Sequence, residues 1–136
     1  DAVSIVHTHS MYCTTFASLH IPLRAVHYLI ANTGTDNVPV VDYKTYGTKE
    51  LAVGVSEAME KYNAVLMANH GMVCCGTSIK DAINIAQTCE WIAKLQWNCL
   101  CIGQPHILSA MQIEDVLEKF TSYGQGGTGS KGYTVG

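Results

Sequence analysis

Apolar residues recur with two different spacings along the chain, and the changes between them mark the elements. Val3–His9 reads as a strand whose apolar positions are Val3, Ile5 and Val6. Met11–Leu19 and Arg24–Ala31 read as short helices separated by Ile21-Pro22, and Val38–Val41 as a short strand. Thr48–Tyr62 reads as a helix with Thr48 at its N-cap and Glu50 in its first turn, where a carboxylate meets the positive end of the helix dipole. Ala64–Asn69 and Met72–Cys75 read as strands on either side of a turn at Gly71, since Asn and Gly both tolerate positive φ.

From Ser78 to about Ile102 the spacing is helical again, opening on a Ser78…Asp81 capping-box pattern. Ile79, Ala82, Ile83, Ala86, Cys89, Ala93, Trp97 and Leu100 form the expected apolar stripe, and Gly103 with Pro105 stop the helix. Ser109 and Gln112 cap a last helix, Met111–Tyr123, and residues 124–136 are glycine-rich and expected to be flexible. Strands interleaved with helices predict a layered α/β domain over residues 1–123, followed by a tail. There is no internal repeat.

Composition narrows the picture. With 136 residues, 48% of them hydrophobic and 14% charged, the chain supports one core and suggests no second domain. A net charge of −3 gives no electrostatic reason to expect nucleic acid or an anionic membrane as partner. No apolar run approaches the roughly 18 residues of a membrane span, and no signal-peptide pattern or N-x-S/T acceptor is present. The six cysteines (Cys13, Cys74, Cys75, Cys89, Cys99, Cys101) include no C-x-x-C pair. They read as reduced thiols, for the most part buried, which places the protein in the cytoplasm.

The candidate chemistry lies at strand ends. Side chains two apart on a strand share a face, so His7 and His9 point the same way. His70, at the end of the Ala64–Asn69 strand, can bring a third imidazole. Three such nitrogens form the ligand set of a catalytic Zn²⁺ or another divalent ion, with positions left open for substrate. Each part alone also has a plain structural account: a strand-end histidine is a polar terminus, and Asn69-His70-Gly71 is a serviceable turn.

Ile5-Val-His-Thr-His9, Ile21-Pro22, Ala25-Val-His-Tyr-Leu-Ile-Ala31, Val38-Pro39, Tyr43, Tyr46-Gly-Thr-Lys-Glu-Leu51 and Val65-Leu-Met-Ala-Asn-His-Gly71 together resemble the class II aldolase/adducin family, most closely its L-fuculose phosphate aldolase branch. The pattern Ala82…Glu90…Ala93-Lys94 and the stretch Val116-Leu-Glu-Lys-Phe-Thr-Ser-Tyr-Gly124 fit as well. The resemblance implies a layered α/β domain with a central, mostly antiparallel sheet flanked by helices. It implies His7, His9 and His70 as metal ligands, and cleavage of L-fuculose phosphate or a related ketose phosphate to dihydroxyacetone phosphate and an aldehyde. Such an ion chelates the carbonyl and adjacent hydroxyl oxygens and stabilises the enediolate as a Lewis acid, so no lysine Schiff base is needed. The resemblance further implies Tyr28 as a proton donor that reaches in from a neighbouring subunit, Tyr46 (where the family usually has Phe) and Tyr123 as pocket residues, and a homotetramer.

The remaining candidates take plainer readings. His20 is expected to be solvated in a connection, His27 to lie on a helix surface or interface, and His106 to lie in the loop after Pro105. Glu50 and Glu90 are expected to be helix charges, and Trp91 and Trp97 core or subunit contacts. Family members carry a portion before the H-x-H strand, with phosphate-binding loops and a general-base glutamate. The chain is therefore expected to be a fragment of a longer subunit. Two other readings remain: a ribulose phosphate 4-epimerase-type enzyme, for which an acidic residue near His27-Tyr28 is expected and is not found, and an adducin-like interaction module, in which the metal histidines would be lost.

Overall fold

A strand from the start of the chain and one from its middle form the ladder on which the molecule is built. In the computed structural model, which describes residues 2–124, β1 (Ser4–Thr8) pairs antiparallel with β6 (Gly71–Gly76), with His7 opposite Val73 and Thr8 opposite Met72. On the other side of β6 lies β5 (Ala64–Met67), also antiparallel, and beyond it β4 (Val40–Val41), parallel to β5. The sheet order is β1-β6-β5-β4, so β1 is an edge strand. This is the mostly antiparallel central sheet that the resemblance implies.

Alternation along the strands divides the core in two. Val6, Ala64, Leu66, Met72 and Cys74 meet α1 (Met11–Leu19) and α3 (Ile79–Ile102), whose Phe16, Ile85, Cys89 and Ile92 close the main core. Val65, Met67 and Val73 face the other way and pack under α2 (Lys49–Met59) through Leu51, Val55 and Met59. Ile5 is exposed on the face that His7 shares. α4 (Ala110–Gly124) adds Ile113 to the main core.

Local signals were reliable at the caps. The Thr48 hydroxyl accepts the Leu51 N–H (3.4 Å), and the Ser78 hydroxyl accepts the Asp81 N–H (3.1 Å). Ser109 and Gln112 make both bonds of a reciprocal box (2.9 and 3.2 Å). Asp81 differs from the expected box: its carboxylate takes the N–H and hydroxyl of Thr77. α2 stops at Met59 rather than Tyr62, where the N–H groups of Lys61 and Tyr62 both turn back on the Ala58 carbonyl.

Three expectations give way. The helix expected over Arg24–Ala31 is instead a short strand, β2 (Leu23–Arg24), followed by a 3₁₀ helix at Tyr28–Thr33. Gln96, nearly fully buried on α3, accepts the Arg24 N–H (2.8 Å) and donates to the Pro22 carbonyl (3.1 Å), which holds that segment extended. His27 then starts the 3₁₀ helix by accepting the Leu29 N–H at Nδ1 (3.2 Å).

The Val38–Val41 strand is broken at Pro39. β3 (Asn37–Val38) pairs with β2, while β4 joins the main sheet. Proline offers no N–H to continue a ladder.

The α3 stripe is rotated. Its buried face is Ala82, Ile85, Ala86, Thr88, Cys89, Ile92, Ala93 and Gln96, while Ile79, Ile83, Trp97 and Leu100 are exposed. Thr88 and Gln96 belong to this face because each has a partner there, Thr88 receiving a bond from Asn32 (3.1 Å). The segment expected as a flexible tail lies outside the described residues, apart from Gly124 at the end of α4.

Candidate metal centre

β1 ends in His7-Thr8 and the chain leaves it at His9, so both imidazoles stand on one face of the sheet edge. His70 arrives on the turn between β5 and β6, which places it beside them through the β1–β6 ladder. The three ring centroids form a near-equilateral triangle, 4.8, 5.0 and 5.0 Å on its sides. One ligating atom from each ring lies within 4.8 Å of the others. The structure brings the three sequence-predicted ligands together.

The protonation pattern suits a cation. His7 Nδ1 lies 2.8 Å from the Met72 carbonyl, which can only accept, so the proton sits on Nδ1 and the Nε2 lone pair is free. That Nε2 is 3.1 Å from His9 Nε2. Two nitrogens each about 2.0–2.1 Å from a shared ion stand roughly 3 Å apart, so the spacing fits one. Without metal, a proton on His9 Nε2 fills the same gap. Burial lowers the pKa of His70, and His7 and His9 lower it further. Both effects favour the neutral His70 ring, the form that ligation requires.

The turn that delivers His70 is built differently from the sequence expectation. The residue with positive φ is Asn69 (55°), while Gly71 lies within β6. Gly71 is needed for space: a Cβ there would stand 2.4 Å from the Thr8 carbonyl oxygen and 3.0 Å from His9 Cδ2. Glycine lets the two strands close at the point where the three histidines meet.

Other candidates fall elsewhere. Tyr28 opens the 3₁₀ helix, is 42% exposed and packs on His27 (4.7 Å between centroids). Among the described residues no ring contact or hydrogen bond joins it to His7, His9 or His70 within this chain. Tyr46 lies in the exposed connection before α2 (80%), and the side chain of Tyr123 lies outside the described residues. His27 packs edge-on to Trp91 (4.8 Å), and burial lowers its pKa. Trp91 packs against the main core, whereas Trp97 is half-exposed beside Tyr12.

One reading gains a contact and one is corrected. His20 is exposed in the connection after α1, as expected, and there, in a left-handed conformation, it also bonds to Asn69 (2.7 Å). Glu90 is no simple helix charge, since its two carboxylate oxygens accept the Tyr12 and Cys13 N–H groups at the start of α1, each at 2.9 Å. Both contacts span more than forty residues, and no local pattern announces them.

All six cysteines are free, and Cys13, Cys74, Cys75 and Cys89 are buried, as expected, while Cys101 is exposed. Burial pushes the Cys74 thiol up to about 12 and raises Cys13 and Cys89 further, so these thiols are inert. No described helix is long and apolar enough to cross a membrane.

Residues 1–97 match the family model described as the Class II Aldolase and Adducin N-terminal domain. The 5-methylthioribulose-1-phosphate/5-deoxyribulose-1-phosphate aldolase of Rhodospirillum rubrum is 42% identical over 124 residues, which cover 91% of this chain and 56% of that protein. The L-fuculose phosphate aldolase of Escherichia coli K12 is 37% identical over 125 residues, covering 91% and 58%. A solved structure of an L-fuculose 1-phosphate aldolase superposes with a TM-score of 0.85 at 41% identity, over 89% of this chain and 57% of that one. The chain spans somewhat over half the length of the curated relatives it matches.

Proposed function

The chain belongs to the class II aldolase and adducin family, and from that premise we propose that it is the metal-binding part of a lyase that reversibly cleaves a ketose 1-phosphate to dihydroxyacetone phosphate and an aldehyde. The observation that carries the reading is the His7–His9–His70 cluster, with its ligating atoms within 4.8 Å of one another. The names of the relatives divide between fuculose phosphate and methylthioribulose or deoxyribulose phosphate. Their shared chemistry is a five- or six-carbon ketose phosphorylated at O1, and L-fuculose 1-phosphate is the substrate we favour. The free cysteines fit a reducing, cytoplasmic setting.

Zinc or another divalent ion, when bound, supplies Lewis acidity toward the carbonyl and adjacent hydroxyl oxygens as the carbon–carbon bond breaks. The chain's own groups do the rest of what can be assigned. The Met72 carbonyl fixes the His7 ring and keeps its Nε2 free, and the desolvated His70 stays unprotonated. Tyr28 is the acid in the direction of synthesis: its hydroxyl gives a proton to the aldehyde oxygen, and it takes the proton back on cleavage. Because no ring contact or hydrogen bond among the described residues joins it to His7, His9 or His70, and its ring packs on His27 instead, we assign it to the site of a neighbouring copy in a homotetramer. Tyr46 and Tyr123 are assigned to the pocket wall.

The test is release of dihydroxyacetone phosphate by the intact, metal-loaded protein from L-fuculose 1-phosphate and from 5-deoxyribulose 1-phosphate. Release that is lost on chelation and in His70→Ala is expected, with Tyr28→Phe slowed at unchanged metal content. No release from either substrate, or full activity in His70→Ala, would overturn the reading.

A further inference from the structure

His70 alone of the three histidines is carried by a turn rather than by a strand or its immediate exit, so something must set its direction. The residue before it, Asn69, has φ +55°, and one other described non-glycine residue has positive φ: His20, also at +55°. These two residues, 49 apart in sequence, are bonded to each other. The His20 Nε2–H donates to Asn69 Oδ1 at 2.7 Å. Their backbones meet as well, since the Ala17 carbonyl accepts both the His20 N–H (3.3 Å) and the Asn69 N–H (3.1 Å).

The left-handed region disfavours L residues, and it persists where surrounding contacts determine it. Here each left-handed residue supplies the contact that holds the other. α1 connects the two sides of the metal centre: it begins two residues after His9, and its C-terminal end grips the turn before His70. Its first turn is tied to α3 by Glu90, so the helix is held at both ends.

We propose that His20 and Asn69 are positioning residues of the metal centre, forming a clip that aims the His70 imidazole at the nitrogens of His7 and His9. The proposal rests on the metal reading above. Neither residue is a ligand; each acts through the turn. Partners of this kind, one step removed from an ion, commonly change metal affinity by roughly 10–100-fold.

Glycine substitutions isolate the clip, because glycine adopts positive φ freely and removes only the side-chain bond. The experiment measures zinc affinity by competition with a chromophoric chelator for the parent protein, His20→Gly, Asn69→Gly, the double variant, Asn69→Asp and His70→Ala. Metal-free melting temperatures are recorded alongside. Each glycine variant is expected to bind zinc roughly 10–100-fold more weakly, with the double variant no weaker than the singles, as for two halves of one interaction. Asn69→Asp keeps an acceptor oxygen and tolerance of positive φ, and is expected to bind close to the parent.

Parent-like affinity in both glycine variants, with zinc lost in His70→Ala, would overturn the clip and leave the metal site standing. Weakening that tracks an equal fall in metal-free melting temperature and is not rescued by Asn69→Asp would assign the pair to stability alone. Parent-like zinc binding by His70→Ala would overturn the metal reading and the clip with it.

Discussion

The imidazole of His7 donates from Nδ1 to the carbonyl of Met72, 2.8 Å away on the adjoining strand. This bond decides which nitrogen is available to an ion, because a carbonyl cannot donate in return. In metal-free protein, long-range ¹H–¹⁵N correlation spectra should show His7 as the Nδ1–H tautomer, with Nε2 shifting on addition of zinc. A dominant Nε2–H tautomer would contradict this assignment.

Gly71 packs directly against the backbone at the end of β1. A β-carbon there meets backbone at Thr8, which cannot swing aside as a side chain would. Gly71→Ala should lower stability by about 1–3 kcal/mol, the usual range for forced overpacking, and should weaken zinc binding by parting His9 from His70. Denaturant melts and zinc titration measure the two effects, and an Ala variant matching the parent in both would contradict the geometry.

Glu90 ties α3 to the start of α1 by accepting two backbone N–H groups. Removing the carboxylate strands both donors in a partly buried setting, at a cost of about 1–3 kcal/mol for each one left unsatisfied. Glu90→Ala should therefore unfold at markedly lower urea concentration, with Glu90→Gln, which keeps one acceptor oxygen, falling in between. Equal midpoints for Gln and Ala would show that the bond Gln retains contributes nothing.

Acid should weaken the metal-free fold. Burial lowers the His27 pKa, and burial with His7 and His9 lowers that of His70, from the ordinary 6.5. As pH falls below that value the unfolded chain takes up protons that the folded chain does not, so stability rises with pH across this window. The contribution is fully present above 6.5 and is lost as pH drops through the lowered values. His27→Asn keeps a cap acceptor for the Leu29 N–H without a titrating ring. Its melting temperature should fall less than the parent's between about pH 7.5 and pH 5.5; an identical fall would remove His27 from the effect.

What could be read from the sequence was what is encoded locally. The facing of His7 and His9 follows from strand alternation, and the caps at Thr48, Ser78 and Ser109 involve partners three residues away. The departures come from partners far along the chain. Gln96 lies 72 residues from the Arg24 N–H it accepts, and it turns an expected helix into an extended segment. The buried face of α3 takes in Thr88 and Gln96, whose partners lie far along the chain, together with Ile85 and Ile92, which the expected stripe left out. In Asn69-His70-Gly71 the sequence pointed to a turn, but the positive φ falls on Asn69, and glycine serves the close approach to Thr8 and His9.

The account rests most directly on metal bound by three imidazoles. Equilibrium dialysis of the purified protein against zinc, followed by elemental analysis, should give one ion per chain. His7→Ala, His9→Ala and His70→Ala should each lose it while keeping the parent's circular dichroism spectrum. Stoichiometric zinc retained by all three variants would contradict the central claim.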